Sequence, residues 1–174
     1  MLYLVELWES VRDFMATGGD VLWLVAGALF LMWALMLERY FFVSFVFPKM
    51  RKEIITRWEA REDTTSWYAH RIREAWISQA KEQLNARMGL INTLVAICPM
   101  LGLLGTVTGM IAVFEVMAVQ GTGNPRLMAG GISMATIPTM SGMVAALSGV
   151  FFSTRLNAKL KLSQEQLVDS LPHH

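Results

Sequence analysis

Charge is scarce in this sequence. Of its 174 residues only 17% are Asp, Glu, Lys or Arg, against about a quarter in an ordinary soluble domain. There is one cysteine, Cys98, which excludes an internal disulfide and a cysteine metal cluster. It stands in an apolar run, where it reads as an inert buried thiol. No basic run precedes the first apolar block. Glu6, Glu9, Asp13 and Asp20 stand there instead, unlike the start of a cleavable signal peptide. The net charge of +1 gives no electrostatic case for a nucleic-acid partner. The sequence carries no P-loop, no nucleophile paired with a base and no pair of histidines placed to hold haem. The expectation is therefore a protein that is not an enzyme and needs neither cofactor nor metal.

Apolar residues are what the chain has in excess, at 54% of the total and a mean hydropathy of +0.42. They are concentrated in blocks too long for a soluble core helix, so a bilayer is the expected solvent. The reading is an all-α membrane protein with three transmembrane helices and a cytoplasmic helical extension. Residues 1–19 hold a short amphipathic helix, with Leu4, Trp8, Val11 and Met15 at helical spacing and Glu6, Glu9, Arg12 and Asp13 opposite. That helix either lies in the membrane interface or packs on a neighbouring helix. Gly18-Gly19 breaks it, and Asp20 is placed to cap the next. The first span is predicted over 20–47 and the second over 90–118. A turn follows at 119–127, then the third span over 128–154 and a short or frayed helical tail over 155–174.

Residues 48–89 mix charges of both signs, the pattern of a solvated helical region. The spacing predicts a helix to about residue 62, a break at Asp63-Thr64-Thr65, and a second helix capped by Thr65 or Ser66 with Trp67, Ile72, Trp76, Ala80 and Leu84 as its apolar stripe. All fifteen basic residues except Arg12 and Arg126 fall in 39–87 or 155–161. The positive-inside rule then puts those segments in the cytoplasm and the N-terminus outside.

The three spans differ in polarity. The second carries Gly102, Gly105 and Gly109 on one face, with Thr106 beside them; the third carries Gly142 and Gly149 with Ser133, Thr136, Thr139 and Ser141. Small residues let helix backbones approach closely in lipid. The hydroxyls either bond back to their own helix or form a polar lining shared by the second and third spans, with Thr106, Thr139, Thr136, Ser133 and Ser141 as its members. Pro138 releases a backbone carbonyl inside the third span that such hydroxyls can satisfy. No Asp, Glu, Lys, Arg or His stands in the middle of any span. Glu38, Arg39 and Glu115 mark span ends as interfacial charges, although the Glu38–Arg39 pair also suits the inside of a helix bundle. A proton path through these helices would need its central carboxylate from another chain.

Two segments carry a family resemblance. The run from Pro99 to Phe114, PMLGLLGTVTGMIAVF, resembles the second-span signature of the MotA/TolQ/ExbB proton-channel family. The run from Gly131 to Ala146, GISMATIPTMSGMVAA, resembles its looser third-span signature, and Glu38-Arg39 after the first span is similar too. The short N-terminal arm and modest cytoplasmic region look like the ExbB branch. That resemblance implies a bacterial inner-membrane, multi-pass subunit of a proton-driven motor, homo-oligomeric as a pentamer around helices of an ExbD-like protein. The ExbD-like chain would supply the intramembrane aspartate. A TonB-like protein would carry the energy to outer-membrane import. A TolQ-like role in envelope integrity, or a passive membrane scaffold, are the alternatives. The family's lining threonines correspond to Thr106 and Thr139. Met134 stands where ExbB proteins commonly have a glutamate, and Ser148 where they have a later proline.

Overall fold

A computed structural model describes residues 2–17, 19–121 and 125–171. Most of the described residues are helical and none is in a strand; the α-helices are α1 (Leu2–Thr17), α2 (Gly19–Phe41), α3 (Phe47–Glu59), α4 (Trp67–Asn85), α5 (Met88–Gln120) and α6 (Pro125–Asp169). Three stretches of helix are long and apolar enough to cross a membrane, in Gly19–Glu59, Trp67–Val119 and Met128–Asp169. The chain forms two compact units, Met1–Met32 with Thr93–Val150, and Trp33–Asn92 with Phe151–His174.

In the first unit, α2, α5 and α6 pack through small side chains. Cys98, Ala145 and Ala146 are buried together, with Ala28 and Leu29 laid against them. α5 and α6 run antiparallel: Cys98 and Gly102 approach Gly142, Gly105 approaches Pro138, and Gly109 approaches Ala135. A Cβ on Gly142 would stand 2.5 Å from the Cys98 carbonyl oxygen and 3.1 Å from the Gly102 Cα. A Cβ on Gly102 would stand 2.8 Å from the Pro138 carbonyl oxygen. Backbone thus touches backbone here, the arrangement small residues permit in lipid. Gly105 leaves the recess that the buried Pro138 ring fills. α1 keeps its large apolar side chains outward, including Tyr3, Leu4, Trp8 and Val11.

In the second unit helical structure runs on past the predicted end of the first span at residue 47. α2 passes into a π-helical turn, Phe42–Val46, and on into α3. Pro48 explains the turn: it has no N–H for the Ser44 carbonyl and its ring crowds that carbonyl. The ladder widens, and the Phe47 N–H bonds the Phe42 carbonyl instead. α3 ends at Glu59, a few residues before the predicted 62. Ser66, rather than Thr65, caps α4, its Oγ accepting the Ala69 N–H at 3.2 Å. Asp63 Oδ1 accepts the Thr65 and Ser66 amides at 3.2 and 2.9 Å. These bonds, the Ser66 hydroxyl first among them, hold the Asp63 carboxyl below the usual carboxylate range. Of the predicted α4 stripe, Ala80 and Leu84 are buried, but Trp67 is exposed and Ala69 takes its place.

Two more expectations are corrected. Asp20 does not cap α2 from outside; Gly19, at φ +68°, already opens the helix, and Asp20 lies in its first turn. The C-terminal segment is no frayed tail but the continuation of α6 to Asp169. Leu156, Leu160, Leu167 and Leu171 are buried along it, and Arg73 donates to the carbonyls of Leu171 and Val168 at 2.7 and 3.2 Å. A cation on the last carbonyls stabilises a helix C-terminus. Gly18, residues 122–124 of the predicted turn and the last three residues of the predicted tail lie outside the described residues.

Gly142→Ala is expected to lower the melting temperature of the detergent-solubilised protein, at an overpacking cost of about 1–3 kcal/mol. Gly27→Ala, where nothing lies within 4 Å of the added carbon, should leave it unchanged or raise it. For the α4 cap, Ser66→Ala is expected to cost about 1 kcal/mol locally. Hydrogen exchange at the Ala69 amide should speed up accordingly. The Asp63 contribution is complete at neutral pH, because a lowered folded pKa stabilises above the unfolded value and is lost only as pH falls through the folded one. Protection of the Thr65 and Ser66 amides, corrected for intrinsic exchange, should hold at neutral pH and fall in acid.

Candidate functional site

The site is built from two residues that face each other across α5 and α6. The backbone contacts at Gly102, Gly105 and Gly142 bring the helices close enough for short side chains to meet. Thr139 Oγ1 donates to the Gly102 carbonyl at 2.9 Å, and the hydroxyls of Thr106 and Thr139 are hydrogen-bonded to each other. A hydroxyl has one proton to give. Since Thr139 gives its proton to Gly102, Thr106 is the donor in the pair. The order is Thr106 to Thr139 to the Gly102 carbonyl, and the spare lone pairs of the Thr106 oxygen remain able to accept.

The other predicted lining hydroxyls are not drawn into this network. Thr136 Oγ1 donates to the Ser133 carbonyl at 2.7 Å, and Ser141 Oγ to the Ile137 carbonyl at 2.9 Å, each within its own helix. Thr108 and Ser148 do the same, to Leu104 and Ala145. Ser133 and Thr136 lie exposed, one turn apart on the outer face of α6. The side-chain composition of the spans announced hydroxyls; which of them cross to a neighbour depends on the helix spacing set by the glycines.

Chemically, the pair can pass or orient a proton but cannot store one, because a threonine hydroxyl does not ionise near neutral pH. No Asp, Glu, Lys, Arg or His lies between Gly89 and Phe114 or between Leu127 and Thr154. Glu115 is exposed, and nine residues along α5 from Thr106 amount to about 13 Å. Met134 is also exposed. No group of three or more His, Cys, Asp or Glu that could hold a metal ion occurs among the described residues.

The interfacial pair at the end of the first span divides. Arg39 is 5% exposed and donates to the Gln83 carbonyl at 2.9 Å, with its guanidinium 4.9 Å from the centre of the Phe42 ring. Glu38 meets Arg87 at 2.6 Å. Arg39 is thus turned into the helix bundle of the second unit. That is the second of the two sequence readings for this pair; the partner, the carbonyl of Gln83 near the end of α4, had no signal in the sequence.

The Thr106–Thr139 pair joins two spans in a stretch without Asp, Glu, Lys, Arg or His. The sequence comparisons place the chain in a family. The model of the MotA/TolQ/ExbB proton channel family matches residues 44–168, and the chain belongs to this family. It is 36% identical over 76 residues to the biopolymer transport protein exbB1 of Vibrio cholerae, covering 43% of this chain and 33% of that one. It is 42% identical over 72 residues to a putative ExbB-like biopolymer transport protein of Synechocystis, covering 38% and 28%. With the biopolymer transport protein ExbB of Aquifex aeolicus it shares 28% identity over 92 residues, covering 53% and 60%. The chain therefore matches about a third of the length of the first two and three fifths of the third. With three membrane-crossing stretches, it is a multi-pass membrane protein of this family.

Thr139→Val removes both the bond to Gly102 and the acceptor for Thr106. Interhelical hydrogen bonds in membranes average about 0.6 kcal/mol, so the variant should melt within a few degrees of the parent and assemble normally. Infrared spectra of α5 isotopically labelled at the Gly102 carbonyl should shift to higher frequency, and Thr139→Ser should restore the parent position. No shift in Thr139→Val would show that the bond is absent.

Proposed function

We propose that this chain is an ExbB-like subunit of a proton-driven complex in the bacterial inner membrane. With an ExbD-like partner it couples the proton motive force to TonB-dependent import across the outer membrane. The supporting observation is the Thr106–Thr139 pair at the α5–α6 contact, in a stretch that contains no titratable side chain able to load a proton. Such a lining is complete only when a carboxylate arrives from another chain. Family membership and the ExbB names of its relatives favour the same reading. The chain then acts as a homo-oligomeric ring, a pentamer, that houses the partner's acidic helix, and it catalyses no covalent step. Residues 48–89 and the end of α6 face the cytoplasm and the N-terminus faces the periplasm, because the basic residues gather at the first of these two sides.

Co-expression with an ExbD-like protein tests this directly. The expected particle contains several copies of this chain and fewer of the partner, by mass in detergent. Cells carrying the parent pair should take up a TonB-dependent iron carrier, and Thr139→Val should reduce that uptake by tenfold or more, about 1.4 kcal/mol, with the particle mass unchanged. A monomeric particle, or unimpaired uptake in Thr139→Val, contradicts the reading. Recovery of a TolR-like protein instead would assign the chain to envelope integrity.

A further inference from the structure

Three cations of the second unit on α3, α4 and the α4–α5 joint have carboxylate partners: Arg57 pairs with Glu53 at 2.6 Å, Arg71 with Glu74 at 3.1 Å and Arg87 with Glu38 at 2.6 Å. Others, among them Lys49, Lys52 and Lys81, have none among the described residues. Two of the unpaired cations stand together where the third span ends. Arg155 and Lys159, one helical turn apart on α6, make no ion pair among the described residues. Their contacts are neutral. Lys159 Nζ donates to Ser44 Oγ at 2.7 Å and stands 4.2 Å from the centre of the Tyr40 ring. The Arg155 guanidinium stands 5.1 Å from the centre of the Phe151 ring.

Lys159 is half-buried, so part of its hydration has been given up without a carboxylate in exchange. An ammonium has three donors and a guanidinium five, and most of them here are unused. Arg155 is also the first charge after the ion-free run of α6, and Tyr40 is the first residue after the Glu38-Arg39 pair that closes the ion-free run of α2. These groups therefore stand at headgroup depth. On the apolar side of the two cations, Trp33 and Phe152 meet edge to face at 4.7 Å, and Phe152 meets Phe151 at 5.4 Å. Phe151 and Phe152 are about half exposed. Ser44 owes its place to the π-helical turn, a distortion frequently found at functional sites.

We propose that Arg155, Lys159, Ser44 and Tyr40 bind the phosphate of an anionic phospholipid, whose acyl chains lie along Phe151 and Phe152. The cations supply charge-assisted bonds to the phosphate oxygens. The two hydroxyls fix its position, and the aromatic edge selects an amphipathic anion over a soluble one. The site is independent of the proton-conducting reading; it requires only that the chain reside in a bilayer.

Native mass spectrometry of the detergent-solubilised protein, titrated with phosphatidylglycerol, phosphatidylcholine or glycerol 3-phosphate, reads the site. Phosphatidylglycerol should bind more tightly than phosphatidylcholine. R155Q/K159Q should lower its affinity roughly 30-fold, at about a factor of five per basic residue. K49Q/K52Q, which removes as much charge from α3, should leave it unchanged, and K159R should retain binding. Should the double variant not fold, each single glutamine variant should show about a fivefold loss. Equal losses in K49Q/K52Q, no preference over phosphatidylcholine, or glycerol 3-phosphate binding as tightly as the lipid would each overturn the proposal.

Discussion

The first unit depends on the close approach of α5 and α6. In lipid no hydrophobic force drives apolar helices together, so association rests on packing and interhelical bonds. Gly102, Gly105 and Gly142 remove the side chains that would hold the backbones apart, and the Pro138 ring occupies the recess at Gly105. The Thr106–Thr139 pair is a consequence of that approach. A threonine side chain is short, and it meets a partner across a helix interface only where the backbones nearly touch. The same hydroxyl type one turn away, at Thr136, has no such neighbour and bonds its own helix.

Charge organises the second unit. Arg39 is buried against the Gln83 carbonyl, where α4 is ending and its carbonyls lack intrahelical donors. Three residues on, Ala86 is extended and Arg87 has φ +66°, a left-handed conformation that costs a non-glycine residue about 1–2 kcal/mol. The Glu38–Arg87 ion pair lies at that joint. Glu38 and Arg39, adjacent in sequence at the end of the first span, thus both secure the passage from α4 into α5.

Most of the architecture was legible in the sequence because the bilayer imposes a length and a composition on each span. The three apolar blocks, the break after α3 and the basic asymmetry all follow from such rules. What escaped depends on contacts between distant residues. The helix after Lys159 could have been found from Leu156, Leu160, Leu167 and Leu171, spaced at four, seven and four; it was masked by the polar residues between them. The π-helical turn had a local signal in Pro48, but a proline four residues after a serine usually reads as a helix start. Among the hydroxyls, residue type narrowed the choice to five and the family resemblance pointed to Thr106 and Thr139; the register of α5 against α6 is what brings those two into contact.

Under the proposed function these features make a membrane lining without a proton carrier of its own. The hydroxyl pair can relay or orient a proton, and the nearest carboxylate along α5, Glu115, is exposed and about two and a half turns away. The central claim is that conduction needs a second chain. Proton flux into liposomes under an imposed membrane potential measures this directly. With the purified chain alone, flux should equal that of protein-free liposomes, and addition of the acidic transmembrane partner should raise it in a way that Thr139→Val abolishes. Flux through the chain alone, insensitive to Thr139→Val, would contradict the account.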